Sequence, residues 1–175
     1  MGKKRNKSGG GANTNKNGLA FEKKTCLLTK LEKIDNVSVN ENNEVFKNDT
    51  LVGLYCPKHS FYKKFLKVNG INWKDRISSQ LLPDIVFVNF QKKIIYFGDD
   101  KFQKGPGSAD EKIQTAHYKH YVFGKLCKGL GYEIDYFYLL NDWFLKKKYD
   151  DLKEYLDLHD FKYYFNEIPL EHVGL

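Results

Sequence analysis

Apolar positions change their spacing several times along the chain, and each change predicts an element. Leu19, Phe21, Cys26, Leu27, Leu28 and Leu31 recur at roughly helical intervals, which predicts an amphipathic helix over residues 18–33. Residues 34–55 hold short apolar stretches interrupted at Glu41-Asn42-Asn43 and Asn48-Asp49, the pattern of short strands joined by turns. Residues 58–68 predict a helix closed by Asn69-Gly70. Two nearly continuous apolar runs follow, 84–90 (DIVFVNF) and 93–98 (KIIYFG), as expected of central strands covered on both faces. Residues 109–128 predict another helix after the Gly105-Pro106-Gly107-Ser108 loop, with Ser108 as its N-cap. A strand over 132–140, a charged helix over 142–159 and a last strand over 161–167 complete the order. This succession predicts an α/β fold with a mixed central sheet flanked by helices.

Composition adds bounds to that picture. A chain of 175 residues, 41% hydrophobic and 15% aromatic, can bury one sizeable core. The net charge is +7, but Lys3, Lys4, Arg5, Lys7 and Lys16 lie in the first 17 residues, which contain no acid. Residues 1–17, otherwise Gly, Asn and Ser, are expected to form a disordered basic tail, and the fold is expected to begin at Gly18. The remainder is only mildly basic, so any nucleic-acid site has to be a local patch. Cys26, Cys56 and Cys127 are odd in number and widely spaced, which argues against a disulfide framework or a structural zinc. With no long apolar run and no apolar leader at the start, the expectation is an intracellular, cytoplasmic protein (of a host cell, if viral) that meets no membrane.

The candidate chemistry lies at the ends of the two apolar runs. If Gln91-Lys92 is a two-residue hairpin loop, Phe90 faces Lys93 and, counting back, Asp84 faces Asp99. Facing residues in an antiparallel pair have Cα atoms about 4.5–5.5 Å apart. Two carboxylates at that spacing repel unless a cation sits between them, and magnesium, which takes carboxylate oxygens and keeps waters, is suited to the place. Alternation puts Asp84, Val86 and Val88 on one face with Ile95, Phe97, Asp99 and Lys101, and turns Asp100 to the other. A one-residue slip would undo the alignment. A surface hairpin with ordinary charges at its ends is the other reading of these residues.

Pro83-Asp84 followed by Asp99-Asp100-Lys101 resembles the PD-(D/E)XK motif of the restriction-endonuclease-like nucleases. Gly18-Leu-Ala-Phe-Glu22 resembles the first core helix of that superfamily, and the segment Lys101–Lys112 is similar to a loop and helix of its restriction enzymes. The resemblance covers about residues 18–140 and implies an αβββαβ core within a nuclease domain over residues 18–175. It further implies magnesium, with manganese as a substitute, held by Asp84, Asp99 and the Asp100 carbonyl, with Glu22 as an outer or alternate ligand. Lys101 would position the attacking water. The implied activity is DNA endonuclease, restriction-type, with a homodimer as one form. A repair or recombination nuclease, and a DNA-binding subunit that keeps the fold without activity, are the alternatives.

Weaker candidates surround this core. Gln114 and Tyr118 have a Gln-x-x-x-Tyr spacing found in some nucleases of the superfamily, against ordinary helix surface as the plainer reading. Lys104 and Lys112 flank the glycine-rich loop and could approach phosphates, and Gln103 continues the Lys101 face. His117 and His120 are half of a metal site with no third ligand at a diagnostic spacing. No P-loop is present, so no nucleotide cofactor is expected, and no Ser-His-Asp arrangement stands out.

Overall fold

A computed structural model describes residues 18–22, 26–105 and 109–175. Seven strands form one mixed sheet whose spatial order follows the chain: β1 (Val37–Val39), β2 (Glu44–Lys47), β3 (Thr50–Tyr55), β4 (Ile85–Asn89), β5 (Ile94–Lys101), β6 (Glu133–Leu140) and β7 (Lys162–Phe165). The strands from β1 to β5 pair antiparallel, and β6 and β7 add in parallel. The parallel additions need crossovers, which helices supply. They are α3 (Ala109–Ile113) and α4 (Ala116–Cys127) between β5 and β6, and α5 (Asp150–Leu158) between β6 and β7. A helical turn at 18–22 (α1), α2 (Leu27–Leu31) and α6 (Leu170–Val173) complete the set.

Alternation along β4 and β5 divides the core in two. Val86, Val88, Ile95 and Phe97 pack with Phe61, Val122, Phe123 and Leu156, so α4, α5 and the 61–66 segment cover one face. Ile85, Phe87 and Tyr96 pack with Phe21, Leu27, Leu31 and Val173, so α1, α2 and α6 cover the other. This double cover is why the two strands read as continuous apolar runs. Phe97 and Phe123 stack at 4.1 Å and 5°, which fixes α4 against β5. Such a pair adds about 1 kcal/mol beyond its burial. Arg76 donates to the carbonyls of Leu126 (2.8 Å) and Lys128 (2.6 Å), closing the C-terminal end of α4.

Several sequence expectations need correction. The helix expected over 18–33 is interrupted at Cys26, whose ψ of 119° is not helical. The one expected over 58–68 widens to a π-type turn at Phe61–Leu66, which carries Phe61, Tyr62, Phe65 and Leu66 into the core together. The helix expected over 109–128 breaks at Thr115, whose hydroxyl donates to the Lys112 carbonyl at 2.7 Å and competes with the helical ladder. The expected N-cap, Ser108, and the tail 1–17 lie outside the described residues. The helix expected over 142–159 begins only at Asp150. Two 3₁₀ turns precede it, joined by an extended Lys146 that lets both Phe144 and Tyr149 reach the core.

Candidate active site

The β4–β5 register places the candidate carboxylates together. Ile85 pairs with Gly98 and Asn89 with Ile94, and one more step of that count sets Asp84 opposite Asp99. The turn itself is wider than two residues: the ladder ends at Asn89, whose side chain accepts from the backbone N–H groups of Gln91 and Lys92. Gly98 leaves room for the neighbouring strand, since a Cβ there would come within 2.5 Å of the Phe137 ring. Its small size lets β5 lie close against β6 where the candidate residues begin.

Two charge groups converge at this strand end. In the first, Lys101 donates to Asp99 Oδ2 at 2.9 Å and to the Asp100 carbonyl at 3.3 Å. Lys119, reaching in from α4, donates to the same Asp99 oxygen. Tyr138 lies beneath both ammonium groups, its ring centroid 5.9 Å from Lys101 Nζ and 5.8 Å from Lys119 Nζ. In the second group, Lys58 donates to Glu22 at 2.6 Å and lies 3.4 Å from Asp84. Lys58 has a φ of 53°, unusual for a side chain of its size, and its backbone N–H donates to the Pro83 carbonyl at 2.9 Å. Asp84 in turn accepts from the Asp100 N–H at 3.2 Å. Asp100 turns to the other face, where it lines a cleft of about 380 Å³ with Glu22, Cys26, Tyr55, Lys58 and Asp84.

The two groups titrate in opposite directions. Burial raises the pKa of Asp84, and the Asp99 and Glu22 carboxylates raise it further, against the pull of Lys101 and Lys58. Burial also pushes Asp99 up, but Lys101 and Lys119 more than offset it, so its pKa is lowered. Lys119 itself is lowered, chiefly by burial and partly by the charge of Lys101, with Asp99 opposing. Lys58 goes up: burial works against its charge, and Glu22 and Asp84 outweigh burial.

Asp84, Asp99, Lys101 and Glu22 are thus brought into one neighbourhood. The weaker candidates are more dispersed. Gln103 is buried, and its backbone N–H and carbonyl both bond the Asn141 side chain, at 3.0 and 2.9 Å. Lys104 is exposed beside the Phe102 ring. The Lys112 carbonyl accepts from Tyr138 OH at 3.3 Å. Gln114 lines a separate cleft against α5, and Tyr118 is 60% exposed. His117 meets Tyr155 at 2.6 Å and His120 the Ile134 carbonyl at 3.3 Å, and neither is joined to the other by these contacts.

Sequence reasoning missed Lys58 and Lys119. Lys119 had left a signal: it falls among Ala116, Val122, Phe123 and Leu126, a lysine on the stripe that α4 buries. Lys58 had none, because its role depends on the turn after β3. Among the described residues no three His, Cys, Asp or Glu side chains gather as a group that could hold a metal ion. No helix there is long and apolar enough to cross a membrane. No protein-family model matches the chain, and no curated protein or solved structure matches it at a significant level.

Proposed function

We propose that the protein is a magnesium-dependent nuclease of the PD-(D/E)XK kind that hydrolyses phosphodiester bonds in DNA. One observation carries the reading: Asp84, just before β4, lies across from Asp99, near the end of β5, with Lys101 on Asp99 and Glu22 close to Asp84. The element order also supports it. After α1, α2, β1 and β2, the antiparallel strands β3, β4 and β5, a helical crossover and the parallel β6 contain the βββαβ part of the succession that the resemblance implies, with the 61–66 segment between β3 and β4 as an addition.

The donors fit magnesium. Asp84, Asp99 and the Asp100 carbonyl are hard oxygens, and Asp84, whose pKa is raised first by burial and then by the Asp99 and Glu22 carboxylates, would be relieved by a cation. These three would hold the ion, with Glu22 as a further ligand. A thin set of protein ligands suits a metal that takes one or two carboxylates and completes its shell with water and phosphate oxygens. When bound, magnesium supplies positive charge at the scissile phosphate and a more acidic water.

The chain's own groups do the rest. Lys101 holds the attacking water. Lys119 meets a non-bridging oxygen of the phosphate, where negative charge builds up. The water oxygen bonds to phosphorus, the P–O ester bond breaks, the proton of the water passes to bulk solvent and the leaving oxygen gains one. Lys119 releases a proton more readily than an exposed lysine and is fitted to supply it. Restriction of foreign DNA is the proposed setting, with a two-fold dimer as the form that cuts both strands of a palindrome.

A second reading, a DNA-binding subunit without activity, is favoured by the lysines that already engage both aspartates. Cleavage of plasmid and linear DNA with magnesium, comparing wild type with Asp84→Ala, Asp99→Ala and Lys101→Ala, separates the two. The nuclease reading expects fragments from wild type alone. Binding without cleavage, in magnesium and in manganese, would put the second reading first.

A further inference from the structure

Another cleft, of about 580 Å³, lies on the stretch that follows β3, and its lining includes His59, Tyr62, Lys63, Lys67, Trp73 and Gln80. It is tied to the candidate active site at two points. Lys58 carries the contacts to Glu22 and Asp84, and the next residue, His59, lines the cleft. Gln80 stands four residues before Asp84, and the segment between them is held by Tyr62, whose hydroxyl donates to the Leu81 carbonyl at 2.8 Å.

The charge of this stretch is one-sided. From Lys58 to Arg76 the chain holds six cations and one acid, the local basic patch that an otherwise mildly basic fold needs for a nucleic-acid partner. Among the described residues, Lys58 is the one of the six with a carboxylate partner. The acid, Asp75, accepts from the Asn72 side chain at 3.2 Å, and no carboxylate is among the described residues that line the cleft. His59, Lys63 and Lys67 recur at every fourth position, about one turn apart, so they form a row along one wall, and all three are exposed. Lys64 leaves that row and donates to the Asn42 carbonyl at 2.9 Å. The cleft also holds a flat ring: Trp73 is half-buried and meets Tyr62 edge to face at 6.3 Å and 85°. Lys74 Nζ, 5.9 Å from the centroid of that ring, adds a cation beside it. A row of cations next to an aromatic wall matches a chain that alternates phosphates with flat bases. Bases inside a duplex are already stacked, so one that meets Trp73 has to be unpaired, at a strand end or turned out of the helix.

We propose that this cleft is a strand-binding subsite for nucleic acid. Lys63 and Lys67 hold successive phosphates, His59 donates to the phosphate nearest the carboxylates, and an unpaired base lies against Trp73 with the Gln80 amide at its edge. That the strand is the one to be cut rests on the nuclease reading, whereas the binding itself does not.

The test is equilibrium binding of a fluorescein-labelled single-stranded 20-mer to the full-length protein in EDTA, across a salt series. Wild type is compared with Lys63→Gln/Lys67→Gln and with Trp73→Leu. The lysine variant is expected to bind about tenfold more weakly, with a log–log salt slope smaller by about 1.4. Trp73→Leu is expected to lose about tenfold as well but to keep the wild-type slope, since it removes a stacking face and no charge. Unchanged affinity in either folded variant would overturn the proposal. Should Trp73→Leu fail to fold, the lysine variant, changed only at exposed positions, decides. Wild type that binds anionic lipid vesicles but no oligonucleotide would overturn the proposal too. The expected binding by a protein that cuts no DNA in magnesium or manganese would support the subsite and count against the nuclease reading alone.

Discussion

The two charge groups at the strand end differ in sign. Asp99 with Lys101 and Lys119 carries one net positive charge, whereas Asp84 with Glu22 and Lys58 carries one net negative charge when all are ionised. The first is the more deeply buried, with Asp99 only 7% exposed. The lysines of the first group lower the pKa of Asp99, whereas that of Asp84 is raised, chiefly by burial and then by the Asp99 and Glu22 carboxylates. The difference separates stability from function. The Asp99 group pairs its carboxylate internally and keeps one surplus positive charge, carried by the lysines that the proposed reaction sets against the attacking water and the phosphate. The Asp84 group is short of positive charge and suited to receive a cation.

The largest expected effect comes from breaking the satisfied group. Asp99→Ala leaves two lysines without their carboxylate, and loss of one partner from a buried pair costs about 3–5 kcal/mol. Urea unfolding should show a loss of that order, together with loss of cleavage. Asp84→Asn should separate the two properties. Cleavage is expected to fall by at least about 100-fold, while stability near neutral pH stays level or rises, because a repelled carboxylate has been replaced by a neutral acceptor.

The pH dependence sharpens the same contrast. Asp99 has a lowered pKa, so its contribution is fully present above the unfolded value of about 3.9 and is lost as pH falls through the folded one. Asp84 has a raised pKa, so its cost sets in as pH rises from about 3.9 through the folded value. Any stability gained by Asp84→Asn should therefore vanish in acid, which urea unfolding between pH 3 and pH 7 would reveal. A gain that persists or grows in acid would contradict this assignment.

Lys119→Met should act more gently on the fold, since Asp99 keeps Lys101 and the methionine fills the same space. Stability is expected to change by less than about 1 kcal/mol, while the maximal cleavage rate falls about 100-fold. A variant that cuts at the wild-type rate would remove Lys119 from the mechanism. The smallest effect is expected from deleting residues 1–17, which carry five of the basic residues. DNA binding should weaken at low salt and converge with wild type as salt rises.

The central part of this arrangement was legible in the sequence because a hairpin is local. Two apolar runs, a short turn and alternation sufficed to set Asp84 against Asp99, and the observed ladder keeps that count. Asn43, Asn48 and Gly70, all at positive φ, mark turns that their residue types announced. Long-range packing was less visible. Lys58 joins Glu22 to Asp84 across 36 and 26 positions of the chain, and no spacing rule encodes such a contact. Helix continuity was overestimated wherever tertiary anchors intervened, as at Thr115 and Lys146. The Gln-x-x-x-Tyr spacing drew attention to α4, but the residue of that helix that meets Asp99 is Lys119.

The most direct measurement is magnesium-dependent cleavage of supercoiled plasmid by wild type and Asp84→Asn at equal folded concentration. Wild type is expected to give nicked or linear product and the variant at least about 100-fold less, while unfolding no earlier than wild type. Equal cleavage by the two proteins, or none by a folded wild type, would contradict it.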